Sequence, residues 1–175
     1  MQKEVIRSWP LFIGIGIMMI AHGLQMQLMG IRSVVEDFSV NTTGIFMAGF
    51  YIGYFSGSQT TPKLVQKVGH IRVFAAFASL ASLSALLAAV YVNPVMWTLS
   101  RIVTGISLVS CYIVAESWLN DRATNKNRGQ LLSAYMIILY IGLGIGMLLL
   151  NVSNPKNYEP FILVSVLLSL ALVPI

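Results

Sequence analysis

Six stretches of about twenty apolar residues run through this sequence, separated by short polar segments. A helix of that length crosses the roughly 30 Å hydrocarbon core of a bilayer. We predict spans at residues 10–30, 43–61, 72–92, 95–118, 130–150 and 159–175. Because lipid satisfies no backbone hydrogen bonds, such a chain must fold as a helical bundle. The expected fold class is an all-α membrane protein, with one six-transmembrane-helix domain over residues 1–175.

The composition excludes most soluble classes. Hydrophobic residues make up 57% of the chain and charged residues 10%, which leaves too little polar surface for a dispersed domain of 175 residues. The net charge of +5 is spread between apolar stretches rather than clustered on one face. A nucleic-acid partner is therefore not expected, and the lipid bilayer is.

The basic residues alternate between the two sides of the predicted bundle. Only Arg32 and Lys156 fall in the loops of one side, and Arg101 falls inside the fourth span. The other eight precede the first span or flank the second and fourth loops: Lys3, Arg7, Lys63, Lys67, Arg72, Arg122, Lys126 and Arg128. This asymmetry predicts a multi-pass protein of the cell (inner) membrane with a cytoplasmic N-terminus. No basic residue follows the sixth span, so the chain is expected to be cut short there.

Three polar residues within the predicted spans are candidates for solute binding or proton handling. Arg101 sits about 9 Å inside the fourth span, where a charge is costly unless it faces a cavity or a partner. It either binds an anionic or polar solute, or snorkels outward and holds helix ends together. His22 and Gln25 share a face of the first span. Since histidine titrates near neutrality, His22 is the candidate for proton handling. A hydrogen bond to a neighbouring helix is the competing interpretation.

Other polar side chains give further candidates. Tyr51 and Tyr135 could line a cavity together with the polar residues above, and several tyrosines could instead lie at the membrane interface. Glu116 is close to the cytoplasmic end of the fourth span. We expect it to join the basic residues of the inner loops in a cluster that locks one conformation, or to form a weak surface ion pair.

Glycines recur at helical spacing in two spans. Gly49, Gly53 and Gly57 lie along one face of the second span, and Gly142 and Gly146 repeat this spacing in the fifth. Such stripes let helices approach closely. They mark either inner helices of a moving bundle or plain packing seams. An exposed seam of glycine and polar residues in spans one, two, four and five predicts association with a second half.

Motifs for catalysis are absent from the sequence. There is no P-loop, no GxGxxG, no HExxH and no GxSxG elbow, and the single Cys111 cannot build a metal cluster. We therefore expect no enzyme, no cofactor and no metal site.

Two stretches resemble signatures of the major facilitator superfamily, in its sugar-porter-like and drug-transporter-like bacterial members. One is PKLVQKVGHIRVF (62–74), in which Lys67, Gly69 and Arg72 match the loop motif while Pro62 and Gln66 replace the usual Gly and Asp. The other begins at Arg101, where Arg101 and Gly105 match RxxxG, and continues to Glu116, Arg128 and Gly129, which are similar to an ExxxxxRG arrangement with a longer spacer.

This resemblance implies the first six-helix half of a twelve-helix fold that works by alternating access. Spans one and four would line the cavity, two and five would flank the interface between halves, and three and six, which hold almost no polar residues, would face lipid. A small-molecule solute would bind near the midplane, and conformational gating would rest on Lys67, Gly69, Arg72, Glu116 and Arg128.

The predicted function is solute transport, as half of a secondary transporter that pairs with a second six-helix half or a second copy. Proton coupling would rest on His22 or on the other half. The alternative is a membrane scaffold or regulatory subunit that retains the half-fold without transport.

Overall fold

The computed structural model describes residues 8–175, and this part of the chain is helical with short connections. Its six α-helices are α1 (Trp9–Val35), α2 (Val40–Val68), α3 (His70–Val90), α4 (Pro94–Arg122), α5 (Arg128–Leu149) and α6 (Glu159–Leu170). A 3-10 turn at Leu150–Val152 prolongs α5. No β-strand occurs among the described residues. The predicted all-helical fold is confirmed over this range.

Four helices are long and apolar enough to cross a membrane: α1, α3, α4, and α5 with its 3-10 extension. Helix α6 is apolar but has 12 residues, and turns follow it to residue 174. Helix α2 has 29 residues, but Ser, Thr, Gln and Lys interrupt its second half. The count of six spans therefore stays a prediction for α2 and α6.

The predicted loop between spans two and three is wrong in position. Helix α2 continues seven residues beyond the predicted end of the span, so Pro62 and Lys67 are helical and the connection is reduced to Gly69. The polar residues after position 61 mark the end of the apolar stretch, but the helix continues through them. An interior proline removes a backbone hydrogen bond, but the helix persists through it. It ends at Gly69, whose φ of 87° and ψ of 162° suit glycine alone.

The two helix pairs in closest contact, α2 with α4 and α1 with α5, are not neighbours in sequence. Helix α1 packs on α5 and α6, while α4 packs on α2 and α3, and α3 also contacts α6. Exchanging α1 with α4, α5 with α2 and α6 with α3 leaves this set of contacts unchanged. Because α1 and α4 run in opposite directions, this is the pattern of an inverted three-helix repeat.

The glycine stripes lie in the two seams between parallel helices. A Cβ on Gly49 would lie 3.1 Å from Thr98 O of α4, and Cβ atoms on Gly53 and Gly105 would overlap Ile102 O and Phe50 O. Further along this seam Gly57 abuts Ile106. In the second seam, a Cβ on Gly142 would lie 2.8 Å from Met19 Cβ, and one on Gly146 would overlap Ile20 O.

One expectation about helix faces needs correction. The glycine faces of α2 and α5 are buried against α4 and α1, so they are not an exposed seam for a second half. Helices α3 and α6 are apolar, and serine side chains join them: Ser82 Oγ lies 2.7 Å from Ser165 Oγ and 3.1 Å from Ser169 Oγ. Serines at helical spacing in an Ala- and Leu-rich span hold helices together through hydrogen bonds.

Arg32 fastens the end of α1 to the α5–α6 connection. Its Nη1 donates to the backbone carbonyls of Pro155, Lys156 and Asn157 at 3.2, 2.6 and 3.1 Å. Its Nε donates to Glu36 Oε1 at 2.6 Å, which fixes the guanidinium over the connection. The planar, multi-donor geometry of arginine makes this contact, which the sequence did not predict.

Arg32→Lys should loosen this connection, because a lysine cannot keep both the carboxylate and the carbonyl contacts. We expect the backbone amides of residues 156–158 to exchange about tenfold faster, since hydrogen bonds to charged groups contribute about 1.5–3 kcal/mol. Hydrogen–deuterium exchange measures this. Lys156→Met, which removes a nearby exposed charge, is the control, and equal rates in both variants would rule out the fastening role.

Candidate functional site

Three helices meet at the ring of Phe50, which is buried on α2. The His22 ring of α1 stacks on it with centroids 5.6 Å apart and an interplanar angle of 16°. The Arg101 guanidinium of α4 lies over the same ring, with Cζ 4.7 Å from its centroid. His22 and Arg101 therefore lie in one polar cluster, although they are far apart in sequence.

Arg101 is buried at this point, with 3% of its surface exposed. Asn93 caps the start of α4 by accepting from Val95 N at 2.8 Å, and Pro94 begins the helix, which sets Arg101 about two turns inside. Its Nε and Nη1 have no hydrogen-bond partner among the described residues. The side chain does not snorkel outward. It contacts an aromatic face and keeps two donors available.

His22 and Gln25 add further unpartnered polar atoms on α1. Gln25 is 1% exposed and its Nε2 has no partner in the described part of the chain, and the same holds for His22 Nδ1. Neither side chain makes the hydrogen bond to a neighbouring helix that was the competing interpretation. Buried polar groups are normally satisfied, so unpartnered atoms on Arg101, on His22 and on Gln25 one turn along α1 indicate a place for water or a ligand.

The two tyrosine candidates lie in different places. Tyr51 is 69% exposed beside the cluster, and its ring centroid is 5.5 Å from that of Phe50. Tyr135 of α5 is fully buried, and its hydroxyl donates to Glu116 Oε1 at 3.4 Å. Tyr135 thus belongs with Glu116, which had been assigned to gating, rather than with Arg101.

Glu116 and Tyr135 line a groove of about 310 Å³. Tyr54 from α2, Tyr112 from α4 and Tyr140 from α5 also line it, and Met19 forms part of its wall. The Tyr112 hydroxyl lies 3.0 Å from Met19 Sδ. Tyr54 also contacts Phe50, with ring centroids 6.0 Å apart, so the groove adjoins the cluster around Phe50. We call this groove the tyrosine groove.

The remaining gating candidates lie at the end of the bundle that carries Gly69. Lys67, Arg72 and Arg128 are all exposed there. The two ion pairs between described residues are Arg32–Glu36 and His70–Asp121, and neither includes Glu116. The predicted ion cluster around Glu116 is therefore not formed within residues 8–175.

His70 makes the contact between the α2–α3 turn and α4. Its Nε2 lies 3.0 Å from Ser117 Oγ and 3.7 Å from Asp121 Oδ2. Gln66, which replaces the acid of the loop motif, is exposed. His70, which follows Gly69, therefore connects this turn to the end of α4.

Sequence reasoning missed Phe50, the residue on which the cluster is centred. An isolated Phe in an apolar span carries no signal of its role, and only the packing of α1 and α4 against it reveals one. Residues 8–175 contain no group of three or more His, Cys, Asp or Glu side chains that could hold a metal ion. The cluster itself places the guanidinium of Arg101 and the imidazole of His22 around an aromatic ring.

An all-helical bundle with long apolar helices, an inverted repeat and a buried polar cluster defines a multi-pass membrane protein. A family model described as Major Facilitator Superfamily matches residues 11–175, and the chain belongs to this superfamily. Transporters of this superfamily carry small-molecule solutes across membranes, and they are generally not enzymes.

Curated relatives agree with this assignment. The "Uncharacterized MFS-type transporter YcaD" proteins of Escherichia coli O45:K1 (strain S88 / ExPEC) and O81 (strain ED1a) are each 30% identical over 118 residues. The protein of the same name from Escherichia coli O139:H28 (strain E24377A / ETEC) is 29% identical over 118 residues. The match covers 66% of this chain and 30% of each relative, so less than a third of each relative's length is matched by this chain.

Proposed function

We propose that residues 1–175 form the amino-terminal six-helix domain of a secondary transporter that binds its solute at His22, Gln25 and Arg101 and works by alternating access. The observation that carries this proposal is Arg101, 3% exposed with two unpartnered nitrogens. A central arginine costs about 2.5–3.5 kcal/mol on insertion scales. Because a buried charge in a membrane span is costly, it usually has a functional role. Solute binding is the role that the superfamily suggests for Arg101.

The unpartnered atoms favour an acceptor-rich solute. Arg101 Nε, Arg101 Nη1 and Gln25 Nε2 are donors, and His22 Nδ1 donates in one tautomer. An anionic or hydroxyl-rich molecule supplies the oxygens that these donors lack. Phe50 and Tyr51 offer it an aromatic wall. Proton coupling, where it occurs, would use His22, since imidazole has the unperturbed pKa closest to neutrality among the side chains of this cluster.

A second six-helix half, or a second copy, would close the cavity. Support comes from apolar side chains that α2 and α5 leave exposed on the faces opposite their glycines. They include Ile52 and Phe55 on α2, and Ile137, Tyr140, Ile141 and Ile145 on α5. Contiguous apolar surface of this kind marks an interaction site or lipid contact.

The basic end of the bundle would face the cytoplasm of an inner membrane, as the excess of Lys and Arg on that side favours. Gating would use Lys67, Arg72 and Arg128, which are exposed and able to pair with the second half in one state, and the tight turn at Gly69. The sequence also placed Glu116 in this set. Its contact with Tyr135 favours a different role.

The test is solute-dependent thermal stabilisation of the intact protein in nanodiscs, across organic anions, sugars and cations. We expect one anionic or hydroxyl-rich class to stabilise it, by about 2.7 kcal/mol at a hundred times its Kd. Gln25→Leu should abolish that shift. Gln27→Leu, at an exposed position two residues along the same helix, should preserve it. Equal shifts in both variants would reject this site.

A further inference from the structure

The connections at opposite ends of the bundle are held by contacts that the inverted repeat makes equivalent. The repeat exchanges α1 with α4, and it exchanges the α5–α6 connection with the α2–α3 turn. In each repeat, the end of the first helix holds the connection between the other two helices. Arg32 of α1 does so through the backbone carbonyls of residues 155–157. His70, in the α2–α3 turn, does so through Ser117 and Asp121 of α4.

These two equivalent contacts differ in how they respond to pH. Arginine and glutamate side chains keep their charges between about pH 5.5 and about pH 8, so the contacts of Arg32 with the carbonyls and with Glu36 are constant over this interval. Histidine changes its charge within the same interval. One connection is therefore held by a permanent cation, and the other by a side chain that is a cation only when its ring is protonated.

The geometry around His70 suits the protonated ring. Its Nε2 lies 3.0 Å from Ser117 Oγ and 3.7 Å from Asp121 Oδ2. A protonated ring donates from Nε2, so Ser117 accepts the hydrogen bond and the Asp121 carboxylate adds an ion pair at the same nitrogen. A neutral ring keeps one hydrogen bond with Ser117 and loses the ion pair. The contact is therefore complete at low pH and weakens as the pH rises through the interval in which histidine titrates.

Water reaches His70, so its ring can exchange protons with the solution. Its side chain is 26% exposed, and a pocket of about 310 Å³ lies beside it. Charged groups of all three helices lie around this turn: Asp121 and Arg122 on α4, Lys67 on α2 and Arg72 on α3. Arg122 lies over the ring of Trp118, with Cζ 5.0 Å from its centroid. Lys67 and Arg72 are exposed, where salt screens their repulsion of a protonated ring.

We infer that His70 is a pH-dependent switch: its protonated ring binds Asp121 and fixes the α2–α3 turn against α4, and its deprotonation loosens the turn. Lys67 lies just before this turn and Arg72 just after it. The assignment of these two residues to gating rests on the proposed function. Under that assignment, acidification at this end of the bundle fixes the position of two gating residues.

The experiment is hydrogen–deuterium exchange of the intact protein in nanodiscs, without solute, at about pH 5.5 and about pH 8. Gly69 N donates to Val65 O at 2.9 Å and Val73 N donates to Gly69 O at 3.3 Å, so these two amides report opening of the turn. Each exchange rate is divided into the intrinsic rate at the same pH to give a protection factor. We expect protection of both amides to be about twofold to fivefold higher at the lower pH, the range that an exposed ion pair supplies.

The α5–α6 connection is the internal reference, because Arg32 holds it with a permanent charge. Protection of residues 156–158 should be the same at both pH values. His70→Gln keeps a side chain that can bond Ser117 but carries no charge, and it should remove the pH dependence at Gly69 and Val73. His70→Arg supplies the permanent charge found at Arg32, and it should give equal protection at both pH values.

Two acidic residues provide a matched pair of variants. Asp121→Asn removes the partner of the protonated ring and should reduce the pH dependence of the turn. Asp37→Asn changes an exposed acid at the other end of the bundle, where φ is 54° and asparagine fits, and should leave that dependence unchanged.

Equal protection of the turn at both pH values in the intact protein would overturn the inference. A pH dependence that persists in His70→Gln would overturn it as well. If His70→Gln also loses protection at residues 156–158, the variant is misfolded, and His70→Arg decides instead by the presence or absence of the pH dependence. No solute is added, so a failure of the site at Arg101 is distinguishable from a failure of the switch.

Discussion

Replacement of Arg101 by methionine is expected to abolish solute binding and to increase the stability of the protein. Methionine has a similar length and remains in contact with Phe50, but it carries no charge. Removal of the buried charge should stabilise the protein by about 2.5–3.5 kcal/mol, and loss of the cation–π contact with Phe50 should destabilise it by about 0.5–2 kcal/mol. We expect a net gain of about 1–2 kcal/mol in the free energy of unfolding.

The measurement is reversible unfolding in bilayers, combined with solute titration of the same samples. Arg32→Met is the matched control, because Arg32 makes three carbonyl contacts and one ion pair and its removal should destabilise. A loss of stability in Arg101→Met would mean that the guanidinium has a structural partner in the intact protein. That result would favour the helix-holding interpretation of Arg101 over solute binding.

Gly53→Ala should be among the most damaging single-methyl additions in this chain. The new Cβ would overlap the Ile102 carbonyl oxygen, which is backbone and cannot rotate away. Helices α2 and α4 would have to separate, and we expect a cost of about 2–3 kcal/mol with reduced folded yield. Gly146→Ala should act in the same way on the α1–α5 seam, where it meets Ile20 O.

Each seam has a control glycine in the same helix. Nothing lies within 4 Å of a Cβ on Gly44 of α2 or Gly144 of α5. Alanine at these positions should be neutral or stabilising by up to about 1 kcal/mol, since it has the higher helix propensity. The four variants are compared by their free energies of unfolding and their folded yields in membranes. Similar behaviour of Gly53→Ala and Gly44→Ala would contradict the close packing of α2 on α4.

Hydropathy was sufficient to predict the helices, but it misplaced a helix end where polar residues are helical. Residues 62–68 are polar enough to read as a loop, yet they continue α2 to Gly69. Periodicity located the glycine stripes, but it could not tell which helix each stripe meets. That depends on long-range packing, which here joins α2 to α4 and α1 to α5.

The candidate site was predictable in its charged residues and not in its geometry. Arg101 and His22 stand out because polar groups in apolar spans are costly, whereas Phe50 becomes visible only when both contact its ring. Glu116 was assigned to a charge cluster from its position near a helix end. Its contact with Tyr135 depends on the packing of α4 near α5, which the sequence does not specify.

The central claim is that the cluster of His22, Gln25 and Arg101 binds a solute that the protein transports. Its most direct test is uptake by proteoliposomes of the solute identified by thermal stabilisation, comparing the intact protein with Arg101→Met. The account predicts saturable uptake that falls at least about a hundredfold in the variant, since losing two charge-assisted hydrogen bonds costs about 3 kcal/mol or more. Uptake that survives the substitution would contradict the site. Binding without uptake in the intact protein would instead favour the scaffold or regulatory subunit.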